Sequence, residues 1–486
     1  MLAVDTLMAA IMGAEGQHSR ASGRDVPLKT AVLHKRRCST KSLLNGGRET
    51  VIVRPNRLDD DGLRRLDMKR AELLDGVSLI KRFADQRRFV SVSRIAADPL
   101  LRRLAMVNQS KLAQLRRIAA GLAGSPLAQE IPVGAPGLRQ FAPFLFDTEL
   151  FYDDGAREET ASAEEKARGK EFYDIVRDFC HVTDGVSEPP PYLAILVADG
   201  DRVGATIGKL GTRERHIAFS QVGSAFARAA GEVVAEHNGA LVYGGGDDVL
   251  AFLPLDTALQ CAGALRKEFA QHMAPLGLDK ETPTLSVGIA IGHFNEPLRD
   301  LLKWGRAAEH AAKRTRDTLA VALHTRAAGA ADVTVAGPWT GGPLERWERW
   351  IEWYRRDALP DGATYELRGL ARELRGLARA GHSKEADRLV IDEAERILKR
   401  KKGGRGTRRL DGAEIKVALR RLSPDAPPEE QRATAPRGEE STLDRLEALV
   451  SELIIARHIA RVCDVAEGPL DTRQATAVVA EGAHGQ

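Results

Sequence analysis

Apolar positions recur at helical spacing through the first part of the chain. Leu63, Leu66, Leu73 and Leu74 are followed by Leu112, Leu115, Ile118 and Leu122, which predicts a helical region over about 37–190. Residues 1–36 carry no clear period and are expected to form a poorly ordered leader. The run from Ser187 to Pro191 ends in three prolines, cannot continue a helix and reads as a linker. The period then changes. Tyr192 to Ala198 is continuously apolar, as in a strand buried on both faces. From Arg213 to His237 the helical spacing returns through Ile217, Val222, Phe226 and Val233, and Asn238-Gly239 stops it.

Ala240–Tyr243 and Val249–Leu253 predict two strands around a tight Gly-Gly-Gly-Asp-Asp turn. Asp256 is expected to cap a helix reaching about Met273. Thr284–Gly292 then reads as a strand, Pro297–Lys313 as a helix and Thr318–His324 as a strand. The order β-α-β-β-α-β, with a helix and a strand appended, is the ferredoxin-like α+β arrangement: an antiparallel sheet with helices on one face. That domain is expected over 191–330. Residues 331–486 are again helical, with Leu344, Trp347, Trp350, Ile351 and Tyr354 on one amphipathic stretch and a charged loop from about Arg421 to Glu440.

Composition narrows the class. Of 486 residues 43% are hydrophobic and 29% charged, which excludes a mainly disordered chain. No apolar run approaches the ~20 residues of a membrane helix. Met1–Gly13 carries Asp5 and no basic leader, a poor signal peptide, so a cytoplasmic protein without a membrane partner is expected. A net charge of +4 proves no nucleic-acid partner, although Lys399–Lys402 with Arg405, Arg408 and Arg409 forms a basic run. Cys38, Cys180, Cys261 and Cys463 are scattered and form no C-x-x-C pair, which argues against disulfides and a self-contained zinc site.

The candidate chemistry gathers at one end of the predicted sheet. The first strand ends in Asp199-Gly200-Asp201-Arg202-Val203-Gly204, the hairpin turns through Gly245-Gly246-Asp247-Asp248, and the last helix ends at Lys313. The topology brings the first two together and so gathers four carboxylates. Without a cation some would have to protonate. Mg²⁺ (or Mn²⁺) resolves the repulsion, because hard cations take carboxylate oxygens together with the phosphates of a nucleotide. Two such ions can activate an attacking hydroxyl and stabilise leaving pyrophosphate. Glycines let a backbone approach a base or phosphate, and Lys313 would neutralise a triphosphate. His293 reads as a polar turn residue.

The segments YLAILVADGDRVG, LVYGGGDDVLAFLPL, TPTLSVGIAIGHFNEPLRDLL and AAKRTRDTLAVAL resemble, in order, the GGDEF-like palm of type III CRISPR effector complexes. More narrowly, they resemble the large polymerase-cyclase subunit of the Cmr (III-B) type. The resemblance implies a metal-dependent nucleotidyltransferase converting ATP to cyclic oligoadenylate, in a complex with other subunits, crRNA and target RNA. It implies catalytic roles for Asp199, Asp201, Asp247 and Asp248, with metal on Asp199, Asp247 and Asp248. Gly200, Arg202, Val203, Gly204, Gly245, Gly246, Ser286 and Lys313 would face the nucleotide. Val249 follows the turn where diguanylate cyclases place Phe, which favours the CRISPR branch. The alternatives are a scaffold subunit that binds nucleotide without turnover and a diguanylate-cyclase-like enzyme.

The chain also departs from that family. Asp75 and Ser78 stand where it has a C-x-x-C ahead of Lys81-Arg82, and Lys41 stands where Cys38 would have its mate. A degenerate zinc module without zinc is therefore expected. No histidine is followed by Asp, so the family's His-Asp nuclease signature is missing. With little room for a first palm, a short or truncated member is expected.

Overall fold

The computed structural model describes Leu73 and residues 90–467, apart from 132–137, 185–188, 279–281, 327–331, 401–408 and 423–440. Chain contacts separate Met1–Phe89 from Val90–Gln486, and the second unit is the one described below. The expected leader, the zinc-module positions Cys38, Lys41, Asp75, Ser78, Lys81 and Arg82, and most of the basic run and charged loop lie outside the described residues.

Helices α1 (Val92–Val107) and α2 (Gln109–Gly121) lead into two-residue strands β1 (Gln129–Glu130) and β2 (Phe146–Asp147), then α3 (Ala163–Asp184). Leu100, Leu104, Leu115, Phe144, Phe151 and Phe172 make a core of their own here. Phe151 and Phe172 meet edge-on at 5.3 Å between centroids, the geometry that ring quadrupoles favour.

The sheet domain follows as β3 (Tyr192–Gly200), a short α4 (Val203–Ile207), α5 (Arg213–Glu236), β4 (Ala240–Gly244), β5 (Val249–Pro254), α6 (Ala258–Met273), β6 (Leu285–His293), α7 (Leu298–Lys313), β7 (Thr318–Leu323) and β8 (Val333–Pro338). The spatial order is β4-β5-β3-β6-β7-β8. Its first four strands have the ferredoxin-like arrangement. The sheet is mixed rather than wholly antiparallel: α7 carries the chain across so that β7 runs parallel to β6, while the other neighbours are antiparallel.

Both faces of the sheet are covered, which corrects the expectation of helices on one face only. Ala194, Leu196 and Ala198 join Phe226 and Phe269 of α5 and α6 on one side. Leu193 and Ile195 join Ile95 of α1 and Leu301 of α7 on the other. The second covering depends on small residues in β6. A side chain at Gly288 would come within 2.1 Å of the Glu309 backbone nitrogen, so α7 lies directly on the strand.

Asp256 does not cap α6. Thr257 occupies the cap, and the buried Asp256 carboxylate instead pairs with Arg102 of α1 at 2.6 Å, since a desolvated carboxylate gains more from a cation than from an exposed turn. The chain continues through α8 (Pro343–Arg355), α9 (Asp361–Arg379), α10 (Ser383–Arg400), α11 (Gly412–Arg420) and α12 (Thr442–Glu467). Lys399 and Arg400 of the basic run end α10, bonded to Glu395 at 2.7 Å and Glu366 at 2.9 Å. Arg421 is a buried residue at the end of α11 rather than the start of an exposed loop. Among the described residues no helix is long and apolar enough to cross a membrane.

Candidate metal and nucleotide site

The end of β3 meets the β4–β5 turn because β3 and β5 pair through Ala198 and Val249. The turn is closed by the Gly245 N–H donating to the Asp248 carbonyl at 2.9 Å. Gly246 sits at φ 94°, a conformation that L side chains rarely adopt. At Gly200 a side chain would meet the Asp247 Cβ at 2.9 Å, so the hairpin tip rests against the strand end.

One carboxylate oxygen from each of Asp199, Asp247 and Asp248 lies within 4.8 Å of the others. Burial alone would raise the Asp199 pKa, but hydrogen bonds with Asp248 and Lys313 hold it below the usual carboxylate value. The Asp199 hydrogen bond, together with burial and the charges of Asp199 and Asp247, pushes Asp248 up to about 7. Burial first, then the charge of Asp199, also raises Asp247. Three hard oxygen donors that repel one another suit a divalent cation such as Mg²⁺ or Mn²⁺.

Asp201 is elsewhere. It is 2% exposed, and its carboxylate accepts from Thr284 Oγ1 at 2.7 Å, Ser286 Oγ at 2.9 Å and the Asp317 N–H at 2.9 Å. Its N–H donates to the Thr284 carbonyl at 2.7 Å. It therefore ties β3 to β6 and to the turn before β7, outside the three-carboxylate cluster. Ser286 is fully buried and spends its hydroxyl on Asp201.

Lys313 joins the two sets. Its ammonium donates to the Asp199 carbonyl at 2.8 Å and the Gly200 carbonyl at 2.7 Å. It also pairs with the Asp199 carboxylate, and lies 3.2 Å from an Asp201 oxygen. Arg202 (φ 62°) and Gly204 are exposed at the start of α4, beside half-buried Val203. His293 ends β6, where its Nδ1 accepts the Asn295 N–H at 3.1 Å.

Sequence reasoning missed Glu309. It is 8% exposed, one turn before Lys313 on α7, and burial, then the charges of Asp199 and Asp201 against that of His310, raise its pKa. The available signal was its i,i+4 spacing from Lys313 among Gly305, Ala308 and Ala312, a stripe small enough for α7 to approach the sheet. A cleft of about 530 Å³ is lined by Thr284 and Asp317, which both bond Asp201, together with Arg266, Phe269 and Leu285 among others. Arg266 and Asp317 form a two-bond ion pair there, at 2.9 and 3.0 Å.

A ferredoxin-like sheet with acidic residues at the first strand end and the hairpin tip defines a palm-type domain. Residues 192–320 match the family described as Cas10/Cmr2, second palm domain. A 169-residue stretch is 36% identical to the CRISPR system Cmr subunit Cmr2 of Pyrococcus furiosus, covering 29% of this chain and 19% of that protein. The chain therefore carries a Cas10/Cmr2 palm and is related through it to the Cmr subunit, although the match spans only about a fifth of that relative. Two structures of type III-B Cmr-beta align at 12% identity. The apo form gives a TM-score of 0.44 over 79% of this chain and 48% of its own; the form bound to cognate target RNA gives 0.49 over 82% and 53%.

Proposed function

We propose that this palm is a metal-dependent nucleotidyltransferase that converts ATP to cyclic oligoadenylate. It would act in the cytoplasm, within a type III CRISPR effector complex carrying crRNA and target RNA. The observation that carries this reading is the convergence of Asp199, Asp247 and Asp248 at the hairpin tip with too little positive charge around them. These three residues would hold Mg²⁺ or Mn²⁺, which when bound supplies charge neutralisation for the phosphates and for the developing oxyanions.

The chain's own contribution is positioning. Lys313 keeps Asp199 ionised and fixes the β3 end through two carbonyls. Asp201, held by Ser286, Thr284 and the Asp317 N–H, keeps β3, β6 and Lys313 in register. In the reaction a ribose hydroxyl oxygen bonds to the α-phosphorus of a second ATP, the hydroxyl proton is lost and pyrophosphate leaves. A rigid cradle favours this by holding the reacting groups in line.

A second reading is favoured by the engagement of Lys313, whose ammonium is already bonded to Asp199 and two carbonyls: a scaffold palm that binds nucleotide without turnover. Radiolabelled ATP incubated with the chain assembled in its complex with target RNA separates the two. The enzyme reading expects oligoadenylate from the wild type and none from Asp247→Ala/Asp248→Ala. Retained product in the double variant would place the chemistry elsewhere. Mg²⁺-dependent ATP binding with no product from the wild type would favour the scaffold.

A further inference from the structure

The β4–β5 ladder has one irregularity, and it lies next to the carboxylates. Leu241 pairs with Ala251 but Tyr243 pairs with Leu250, so the register shifts between them. In an undisturbed strand Leu241 and Tyr243 would share a face. Here Leu241 packs into the core under α5 and α6, while Val242 packs into the core on the opposite side. Tyr243 follows Val242, because its partner Leu250 stands opposite Val197 of β3. A side chain at Gly305 of α7 would come within 3.0 Å of Val197, and Asp199 lies two residues farther along that same face. The bulge therefore turns Tyr243 onto the face that carries Asp199, a known use of bulges beside functional sites.

The ring that arrives there is 55% exposed. A side chain at Gly245 would meet the Tyr243 hydroxyl at 2.1 Å, so the tyrosine lies along the bare backbone of the turn that bears Asp247 and Asp248. Tyr365, the other strongly exposed aromatic among the described residues, is covered by the Arg457 guanidinium at 5.6 Å. Among the described residues no cation covers the Tyr243 ring in this way. An aromatic face open to water beside the three-carboxylate cluster suits a nucleobase whose phosphates reach that cluster through metal, because every base offers a π-face for stacking.

We propose that Tyr243 is the nucleobase platform of this palm: its ring stacks on the purine of ATP while Asp199, Asp247 and Asp248 hold the phosphate end through metal. This rests on the nucleotide reading above and adds the residue that positions the base. Calorimetry on the full chain in Mg²⁺ tests it with two probes, ATP and inorganic tripolyphosphate, which has no base. Tyr243→Ala should weaken ATP about tenfold, with tripolyphosphate unchanged. Tyr243→Phe and Tyr243→Trp should stay within about twofold of the wild type for ATP. Unchanged ATP affinity in Tyr243→Ala, or an equal loss for both probes, would overturn the platform and leave the nucleotide reading standing. A wild type that binds tripolyphosphate but gains nothing from adenosine would overturn the platform and the ATP reading together.

Discussion

Glu452 and Asp199 are both carboxylates held where distant segments meet, but the charge around them is balanced differently. Glu452, on α12, is fully buried. It accepts from Trp350 Nε1 at 2.9 Å and Arg346 Nε at 3.2 Å, and also pairs with Arg421. Burial would raise its pKa, yet the two guanidiniums and the indole N–H hold it below the ordinary value. Two cations serve one acid. At the hairpin tip three acids share Lys313, and two of the three are pushed up. A fold built for stability alone pairs its buried charges; the palm leaves a deficit of positive charge at a half-open site. In the proposed function a divalent cation fills that deficit.

The largest test of the contrast is to remove an acid from each region. Glu452→Ala removes the one carboxylate shared by two interior guanidiniums and should cost about 3–5 kcal/mol in urea unfolding. Asp247→Ala/Asp248→Ala removes mutual repulsion and should cost nothing in metal-free buffer. Comparable losses in both would show that the hairpin acids are structural too.

Acid titration sharpens the comparison next. His458, on the same helix as Glu452, packs edge-on to Tyr192 at 5.6 Å. Burial and the charges of Arg457 and Arg461 depress its pKa to about 4. The folded state thus favours the neutral ring, so stability is full above the unfolded value of 6.5 and drains away as pH falls from there towards 4. The expected loss is about 2–3 kcal/mol, somewhat less than the full shift implies because the ring keeps some solvent access. His458→Gln should flatten the slope of stability against pH in that window, and an unchanged slope would exclude His458 as its source.

Much of the palm was legible because its signals are local. The continuous apolar run of β3 marks a strand covered on both sides, and the Gly-Gly-Gly-Asp-Asp turn can be little other than a hairpin tip. The division of labour within Asp199-Gly200-Asp201 was not legible. It depends on Thr284, Ser286 and the Asp317 N–H arriving from segments more than 80 residues away. Tyr243 was hidden for a related reason: a bulge breaks the alternation from which a strand's faces are read. The Glu452 cluster joins Arg346, Trp350 and Arg421 across three helical segments, and no periodicity along one helix reports such a meeting. Asp256 shows the reverse error, a good capping residue diverted by an arginine from a helix that precedes it by 154 positions.

The smallest expected effect concerns Asp248 itself, and its sign is opposite to that of His458. An acid whose folded pKa is raised weakens the folded state where it must ionise. For Asp248 that cost begins above the unfolded value of 3.8 and grows until the pH passes about 7. Asp248→Asn keeps the shape and removes the charge, so in metal-free buffer it should gain on the wild type as pH rises from 4 to 7. The gain should be well under about 1 kcal/mol, because the site is partly open to water and screened. Saturating Mg²⁺ should reverse the order, since only the wild type offers all three carboxylates and a ligand that binds the folded state stabilises it. Thermal unfolding of both proteins at pH 5 and pH 7.5, with and without Mg²⁺, reads this directly. A variant that gains equally at both pH values would show that repulsion at the turn is not the source. A Mg²⁺ response identical in the two proteins would place the bound cation somewhere other than Asp248.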